Sequence, residues 1–227
     1  MWSPDGSRIA FFGNLEGDHD IYAKLASGAG KTDLLFKSPS RKRPTDWSRD
    51  GRFIFFDVLA GEGTKSDVWA YCTANRHAGP ILETIYNEGF AALSPDGKWL
   101  AYQSDEARAS MLDIHVQSFE GLSVGTKRQW QVSSGGGGEP RWRADGGELY
   151  YMTSSGRMMA VTVHPRNGGF EFDPPHTLFQ TRPIPRTWNL YDVSPDGQRF
   201  LMNLPLEWSG ASPVNVVTNW TEKLKGD

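Results

Sequence analysis

Gly28-Ala29-Gly30-Lys31-Thr32 has the ending of a phosphate-binding loop, in which glycine-rich backbone cradles phosphates and the lysine meets the β- and γ-oxygens. That chemistry needs a further glycine at position 25, which is Leu25, and a strand-to-helix setting. The segment lies between two strand-like stretches and reads as a hairpin turn. Gly121-Leu122-Ser123-Val124-Gly125 formally matches the nucleophile elbow, which works by lifting a serine onto a strained strand-to-helix turn beside an oxyanion hole. Phe119-Glu120 precedes it and Thr126-Lys127-Arg128 follows, with no helix available, so a turn is the expected role. His164 and His176 come after Ser123, both flanked by Pro and Gly loops, and no acid can be singled out to complete a triad.

Metal chemistry is equally thin. His19, His77, His115, His164 and His176 form no H-x-H or H-E-x-x-H set, so no metal site is expected. His115 shares a strand position with Tyr22 and Trp69 and is expected to be packed or at a strand edge. Glu16-Gly17-Asp18-His19-Asp20 and Asp105-Glu106 gather oxygens in loops without the EF-hand ladder, and read as solvated carboxylates. Asp20, Asp67 and Asp113 recur at strand starts, where a structural hydrogen-bonding role is expected. These residues supply no catalytic set and no cofactor site, so the chain is expected not to be an enzyme.

An internal repeat must position them all. WSPDGSRIAFF from Trp2 recurs as WSRDGRFIFFD from Trp47, LSPDGKWLAYQ from Leu93, WRADGGELYYM from Trp142 and VSPDGQRFLMN from Val193. The turn glycines Gly6, Gly51, Gly97, Gly146 and Gly197 are 45, 46, 49 and 51 residues apart, the period of a β-propeller blade. In Ser-Pro-Asp-Gly, proline presets φ, aspartate bonds local amides and glycine supplies the positive φ that closes a hairpin. Nearly continuous apolar runs follow each turn, such as Ile9-Ala10-Phe11-Phe12 and Leu149-Tyr150-Tyr151-Met152, so these strands must be covered on both faces.

Further strand signals complete the unit. Asp20–Ala23, Asp67–Ala70, Asp113–Val116, Met158–Val161 and Val214–Val217 read as third strands, and Leu34–Phe36, Ile81–Glu83, Trp130–Val132 and Thr177–Phe179 as outer ones. The expectation is an all-β propeller of four-stranded antiparallel blades, one domain over 1–227, with hairpin turns at 3–6, 48–51, 94–97, 143–146 and 194–197. Five repeats are visible, the first beginning at its second strand and the last stopping after its third. That count leads to the expectation of a carboxy-terminal portion of a longer protein, able to self-associate through its incomplete terminal blades.

Composition sets the remaining bounds. Net charge is −3 and the 24 basic residues are dispersed, so neither nucleic acid nor an anionic membrane is an expected partner. Arg41-Lys42-Arg43 reads as a solvated loop. Cys72 stands alone, which excludes an intramolecular disulfide and a thiolate metal cage. Apolar runs such as Phe53–Phe56 are too short to insert in a membrane, and no charged and apolar leader precedes Trp2. Asn219-Trp220-Thr221 is a glycosylation sequon by pattern only.

The S-P-D-G turn followed by D-I-Y resembles the WD40-like propeller repeats of the TolB family, over almost the whole chain. TKRQWQVSSGGGGEPRWRADGGELYYM, GRMMAVTV, YDVSPDGQRFLMN and the ending VNVVTNWTEKLK further resemble the carboxy-terminal propellers of bacterial receptor-type serine/threonine kinases. That second resemblance implies a sensor module outside the membrane, periplasmic or otherwise extracytoplasmic, joined to a kinase. No His-Arg-Asp loop or Asp-Phe-Gly occurs here, so kinase activity does not carry over.

Propeller geometry then says where a ligand would meet the chain. RKRPTDW, NEGFAAL, GEPRW and RTWNLYDV place Arg43, Asp46, Glu88, Glu139, Arg141, Arg186, Asn189 and Asp192 at or near the axis. These differ between blades while the turns repeat, as a site built on a repeated scaffold requires. The expected function is a non-catalytic binding or sensor module for a protein, peptide or small molecule. The alternatives are an accessory propeller of a prolyl-oligopeptidase-type peptidase, or an independent hydrolase or lyase with its site in the channel.

Overall fold

A computed structural model describes residues 1–15, 19–59, 65–109, 111–122, 127–166, 169–182, 190–203 and 215–217. Among these there is no helix, and the strands form five antiparallel sheets in chain order. Blade 1 holds β1 (Arg8–Gly13), β2 (Asp20–Leu25) and β3 (Asp33–Phe36). Blade 2 holds β4 (Arg41–Trp47), β5 (Phe53–Leu59), β6 (Asp67–Cys72) and β7 (His77–Leu82). Blade 3 holds β8 (Glu88–Leu93), β9 (Trp99–Ser104), β10 (Asp113–Ser118) and β11 (Gln129–Gln131). Blade 4 holds β12 (Gly138–Trp142), β13 (Glu148–Met152), β14 (Arg157–Arg166), β15 (Gly169–Phe172) and β16 (His176–Gln180). Blade 5 holds β17 (Tyr191–Val193), β18 (Phe200–Met202) and β19 (Asn215–Val217). Met1 and Trp2 supply a stub of an inner strand to blade 1, through the Trp2–Ile9 bridge and a bond from the Ala10 amide to the Met1 carbonyl.

The Asp-Gly turns are built alike. Each glycine has a φ between 68° and 78° and donates its amide to the carbonyl three residues back, as Gly97 does to Ser94 at 2.9 Å. The turn serine donates to the turn aspartate, and the same serine oxygen accepts the amide that opens the next strand: Ser94 to Asp96 at 2.6 Å, Trp99 to Ser94 at 2.9 Å. Blade 4 lacks the serine. There Arg143 clasps Asp145 with two nitrogens, at 2.7 and 2.9 Å.

Apolar cores lie between blades, one at each successive junction. Ala10 and Ile21 meet Ile54 and Phe56; Phe55 and Ala70 meet Leu100 and Tyr102; Ala101 and Ile114 meet Leu149 and Tyr151; Tyr150 and Met158 meet Phe200 and Met202. The residue four past each turn glycine faces the following blade, and Ala10, Phe55, Ala101 and Tyr150 are all fully buried. Leu201 holds that position in blade 5 and is 45% exposed.

Two expectations are corrected here. Arg41-Lys42-Arg43 is the start of strand β4, not a solvated loop, and Lys42 is 1% exposed. Its Nζ donates to Asp20 Oδ1 at 2.9 Å and to the Ser38 and Ser40 carbonyls at 2.6 and 2.7 Å. An ammonium has three donors, and all three find acceptors, which is the condition for burying one. Nor does a loop follow His164 at Pro165. Both residues lie in β14, which continues past its pairing with β13 and β16 to form an added hairpin with β15. Phe170 of that hairpin packs against Trp99, Trp130 and Trp142 at ring-centre distances of 5.5, 5.7 and 6.1 Å, tying blade 4 back onto blade 3.

Candidate functional site

The loops joining second to third strands and the crossovers between blades share one rim, here called the top. Lys42 N donates to the His19 carbonyl, Glu88 N to that of Ser66, and Asp105 N to that of Asn87. Beneath this rim the inner strands β4, β8, β12 and β17 carry the channel residues.

Three inner strands are irregular, two of them for one reason. β4, β8 and β12 each break register with the second strand of their blade. In β8 and β12 the break holds a non-glycine residue at positive φ, Phe90 at 53° and Glu139 at 54°. Such a backbone costs on the order of 1–3 kcal/mol unless neighbours hold it. The neighbour is the preceding blade. Asp57, six residues past its turn glycine, accepts the Phe90 amide at 3.0 Å, and Gln103, six past the next, accepts the Glu139 amide at 3.2 Å. The residues just before them are Gly89 and Gly138. A Cβ on either would lie 3.2 Å from the Asp57 carboxylate or 2.9 Å from the Gln103 carbonyl oxygen, so glycine is what lets the acceptor approach.

Three of the six described channel residues serve these junctions. Arg43 is buried, ion-pairs with Asp57 and lies over the Phe90 ring at 3.9 Å from its centre. Burial pushes the Asp57 carboxyl up, against the pull of Arg43. Asp46 accepts the Leu93 amide of the next blade at 2.8 Å; burial raises its pKa while that amide and the Arg141 charge lower it. Glu139 is a strut between blades 4 and 5, accepting the Leu190 amide at 2.9 Å on Oε2 and the Tyr191 hydroxyl at 2.8 Å on its carbonyl. Arg141 is half-exposed, with one nitrogen on the Pro140 carbonyl at 3.0 Å, and Asp192 is exposed. Arg186 and Asn189 lie outside the described residues, as do Ser123 of the elbow-like motif and the sequon.

Glu88 differs from the rest. It opens β8 at the top of the blade 2–blade 3 junction, is 4% exposed, and accepts the Thr84 hydroxyl on Oε1. Oε2 is buried with no hydrogen-bond partner among the described residues. Desolvation raises its pKa to about 7, helped by Asp67, Glu106 and Asp105 and opposed by Thr84.

The other chemistry-bearing residues have structural surroundings. Gly28 and Gly30 close the β2–β3 hairpin at positive φ. Asp20 holds Lys42 and the Ser38 amide, and Asp113 accepts from Ser133, Gly136 and Arg108, as was expected of strand-start aspartates, whereas Asp67 makes no such bond among the described residues. Asp105 takes the Asn87 backbone and side chain at 2.8 and 2.6 Å. His115 is buried and stacked on Tyr102 at 5.7 Å. His164 pairs with Asp173 at 2.9 Å on the exposed added hairpin. No three His, Cys, Asp or Glu side chains among the described residues are placed to hold a metal ion. Sequence reasoning missed Asp57, Gln103 and the glycines facing them; the signal was a polar residue six past a turn glycine and a Gly in the following inner strand.

Known proteins place this architecture. No protein-family profile matches the chain. A curated relative, the uncharacterized peptidase YuxL of Bacillus subtilis, is 27% identical over 46% of this chain and 21% of its own length. TolB from Acinetobacter baumannii superposes with a TM-score of 0.65 at 16% identity, covering 96% of this chain and 50% of that one. A TolB-like protein of Agrobacterium tumefaciens gives 0.61 at 19% identity over 78% of this chain and 63% of its own. Prolyl oligopeptidase B from Galerina marginata gives 0.55 at 12% identity over 97% of this chain and 32% of that enzyme. The chain thus spans about a fifth of the curated relative and less than two thirds of each of these structures. Repeat, sheet order and superposition agree that it has the TolB-type, all-β propeller fold.

Proposed function

We propose that the chain is a non-catalytic binding module that presents its channel mouth and top loops to a protein, peptide or small ligand. One observation carries this reading. Asp46, Ala92, Arg141 and Asp192 hold the same step of four successive inner strands, two residues before the turn serine or the Arg143 that replaces it. The turns below them are built alike, whereas this step reads carboxyl, methyl, guanidinium, carboxyl. A repeated frame with individual residues at its axis is suited to recognising one asymmetric ligand. Peptides selected from a displayed random library on the intact protein test it. Arg141→Ala should weaken the selected peptides at least tenfold. Peptidase or esterase activity abolished by Ser123→Ala would overturn the non-catalytic reading.

The resemblance of the last two blades to kinase-linked propellers supports placing such a module outside the cytoplasm as a sensor domain. The YuxL likeness and the prolyl oligopeptidase superposition favour a second reading, an accessory propeller that gates a peptidase domain. The coding DNA on both sides of this stretch separates the two: a kinase with a membrane span supports the first, a hydrolase domain the second.

A further inference from the structure

The top of the blade 2–blade 3 junction carries more negative charge than its own contacts neutralise. Glu88, Tyr102 and His115 share the face of blade 3 that is turned to blade 2, by the register Glu88–Ser104–Asp113 and Tyr102–His115. Asp67, at the start of β6, is on the strand face turned to blade 1 but within electrostatic reach of Glu88; Glu83 follows β7, and Asp105 and Glu106 follow β9. In the loops joining second to third strands at this rim, Lys65 is exposed beside Ser66, and Arg108 is paired with Asp113 at 2.8 Å. Two polar atoms here are buried with no hydrogen-bond partner among the described residues: Glu88 Oε2 and His115 Nε2, on side chains 4% and 3% exposed. The other ring nitrogen of His115 meets Gln129 at 3.1 Å, and Gln129 donates to Glu106 at 2.7 Å, so the imidazole is held in place. A buried acceptor without a donor is costly, and in a folded protein it calls for an occupant.

The arrangement selects the kind of occupant. A metal ion needs several acceptors within one shell, and these side chains are not so placed. Both Asp105 oxygens are taken by Asn87, and Glu106 Oε2 by Gln129. An ammonium or guanidinium group instead spreads several N–H donors over acceptors some ångströms apart. Ile85, on the same crossover as Thr84, is 76% exposed and offers an alkyl chain an apolar contact at the rim.

We propose that this junction binds an organic cation, an alkylammonium or alkylguanidinium group, with Glu88 Oε2 as its buried acceptor and Asp67 and Glu106 completing the negative field. The site is separate from the channel step at Arg141, so either can fail without the other. Only ionised Glu88 accepts the ligand fully, and desolvation, with the charges of Asp67, Glu106 and Asp105 behind it, pushes its carboxyl up to about 7. Affinity therefore rises roughly tenfold from pH 6 to pH 8, as the competent fraction does.

Calorimetry on the whole chain tests this with agmatine, with the peptide acetyl-Gly-Arg-Leu-amide, with acetyl-Gly-norleucine-Leu-amide as the uncharged control, and with Mn²⁺ alone. Agmatine or the arginine peptide should bind, the norleucine peptide should not, and Glu88→Gln should weaken binding at least tenfold while Asp173→Asn leaves it unchanged. Asp67→Asn should weaken it about threefold, which serves as the test should Glu88→Gln fail to fold. A peptide at least tenfold tighter than agmatine identifies a peptide-borne arginine as the source of the cation, and the reverse a free amine. Absence of binding by both cations, binding indifferent to Glu88→Gln and to pH, or a Glu88-dependent Mn²⁺ site without amine binding would each overturn the proposal. Arg141→Ala, run beside them, reports on the channel alone.

Discussion

The junction between blades 2 and 3 and that between blades 3 and 4 solve one geometrical problem with different chemistry. In both, a side chain six residues past a turn glycine reaches forward to hold an amide at positive φ in the next inner strand. Blade 2 uses a carboxylate, Asp57, which brings Arg43 into the core as its counterion. Blade 3 uses the neutral amide of Gln103, needs no counterion, and has Trp99, Trp130, Trp142 and Phe170 packed together at its junction with blade 4. The difference teaches that the repeat fixes where a junction must be tied but not with what. Aromatic packing occupies both junctions, with Phe53, Phe55 and Phe119 in the first, so the charged tie adds a buried ion pair without displacing it.

Substitutions can break this contrast, and the largest effects belong to the two ties' own chemistry. Asp57→Ala strands a buried guanidinium and an unpaired Phe90 amide, and should destabilise by about 3–5 kcal/mol in urea unfolding. Phe170→Ala should cost a similar amount, about 3–5 kcal/mol, because three tryptophans lose their common partner. Equality of these two losses would show that the charged tie and the aromatic cluster contribute comparably.

A smaller effect depends on pH. Glu88 has a folded pKa of about 7, above its ordinary 4.5, so the folded state holds the proton more tightly. Stability from this group is present below pH 4.5 and is lost as pH rises to 7, on the order of 3 kcal/mol in all. Glu88→Gln should therefore be nearly neutral at pH 4.5 and stabilising at pH 8, read as a melting temperature raised by several degrees only at the higher pH. Gln103→Ala leaves one amide unpaired and no charge, and should cost about 1–3 kcal/mol. The smallest effect sharpens the comparison most: Arg43→Met with Asp57→Asn converts the charged tie into a neutral one, and should change stability by less than about 1.5 kcal/mol if charge is incidental to the tie.

What was legible in the sequence is what the chain does locally. Ser-Pro-Asp-Gly closes within four residues, so turns, strand order and blade count followed from spacing alone. Lys42 and Arg43 were misread because their partners, Asp20 and Asp57, are 22 and 14 residues away in other strands. A basic triplet looks solvated until the fold supplies the acceptors. The added hairpin escaped notice because Pro165 and the glycines after it read as a loop, although a strand at the margin of a sheet accepts proline. At the axis, residue type showed that positions differ between blades. It did not show that Glu139 and Asp46 spend their carboxylates on neighbouring blades, because that depends on register across a junction.

The five Asp-Gly turns also bear on how the protein ages. Asp-Gly is the dipeptide in which a following amide nitrogen most readily attacks the carboxyl, closing a succinimide that reopens as isoaspartate. The attack needs a protonated carboxyl and a free amide nitrogen. In the folded hairpins the Ser3 hydroxyl and the Ser7 amide hold Asp5 down at about pKa 2, Arg143 and the Gly147 amide hold Asp145 low, and Ser194 and the Gln198 amide do so for Asp196. Each turn glycine meanwhile has its amide committed to the carbonyl three residues back. The serine relay that shapes the turn thus also keeps it chemically young, and time spent unfolded would be written into the chain at five places.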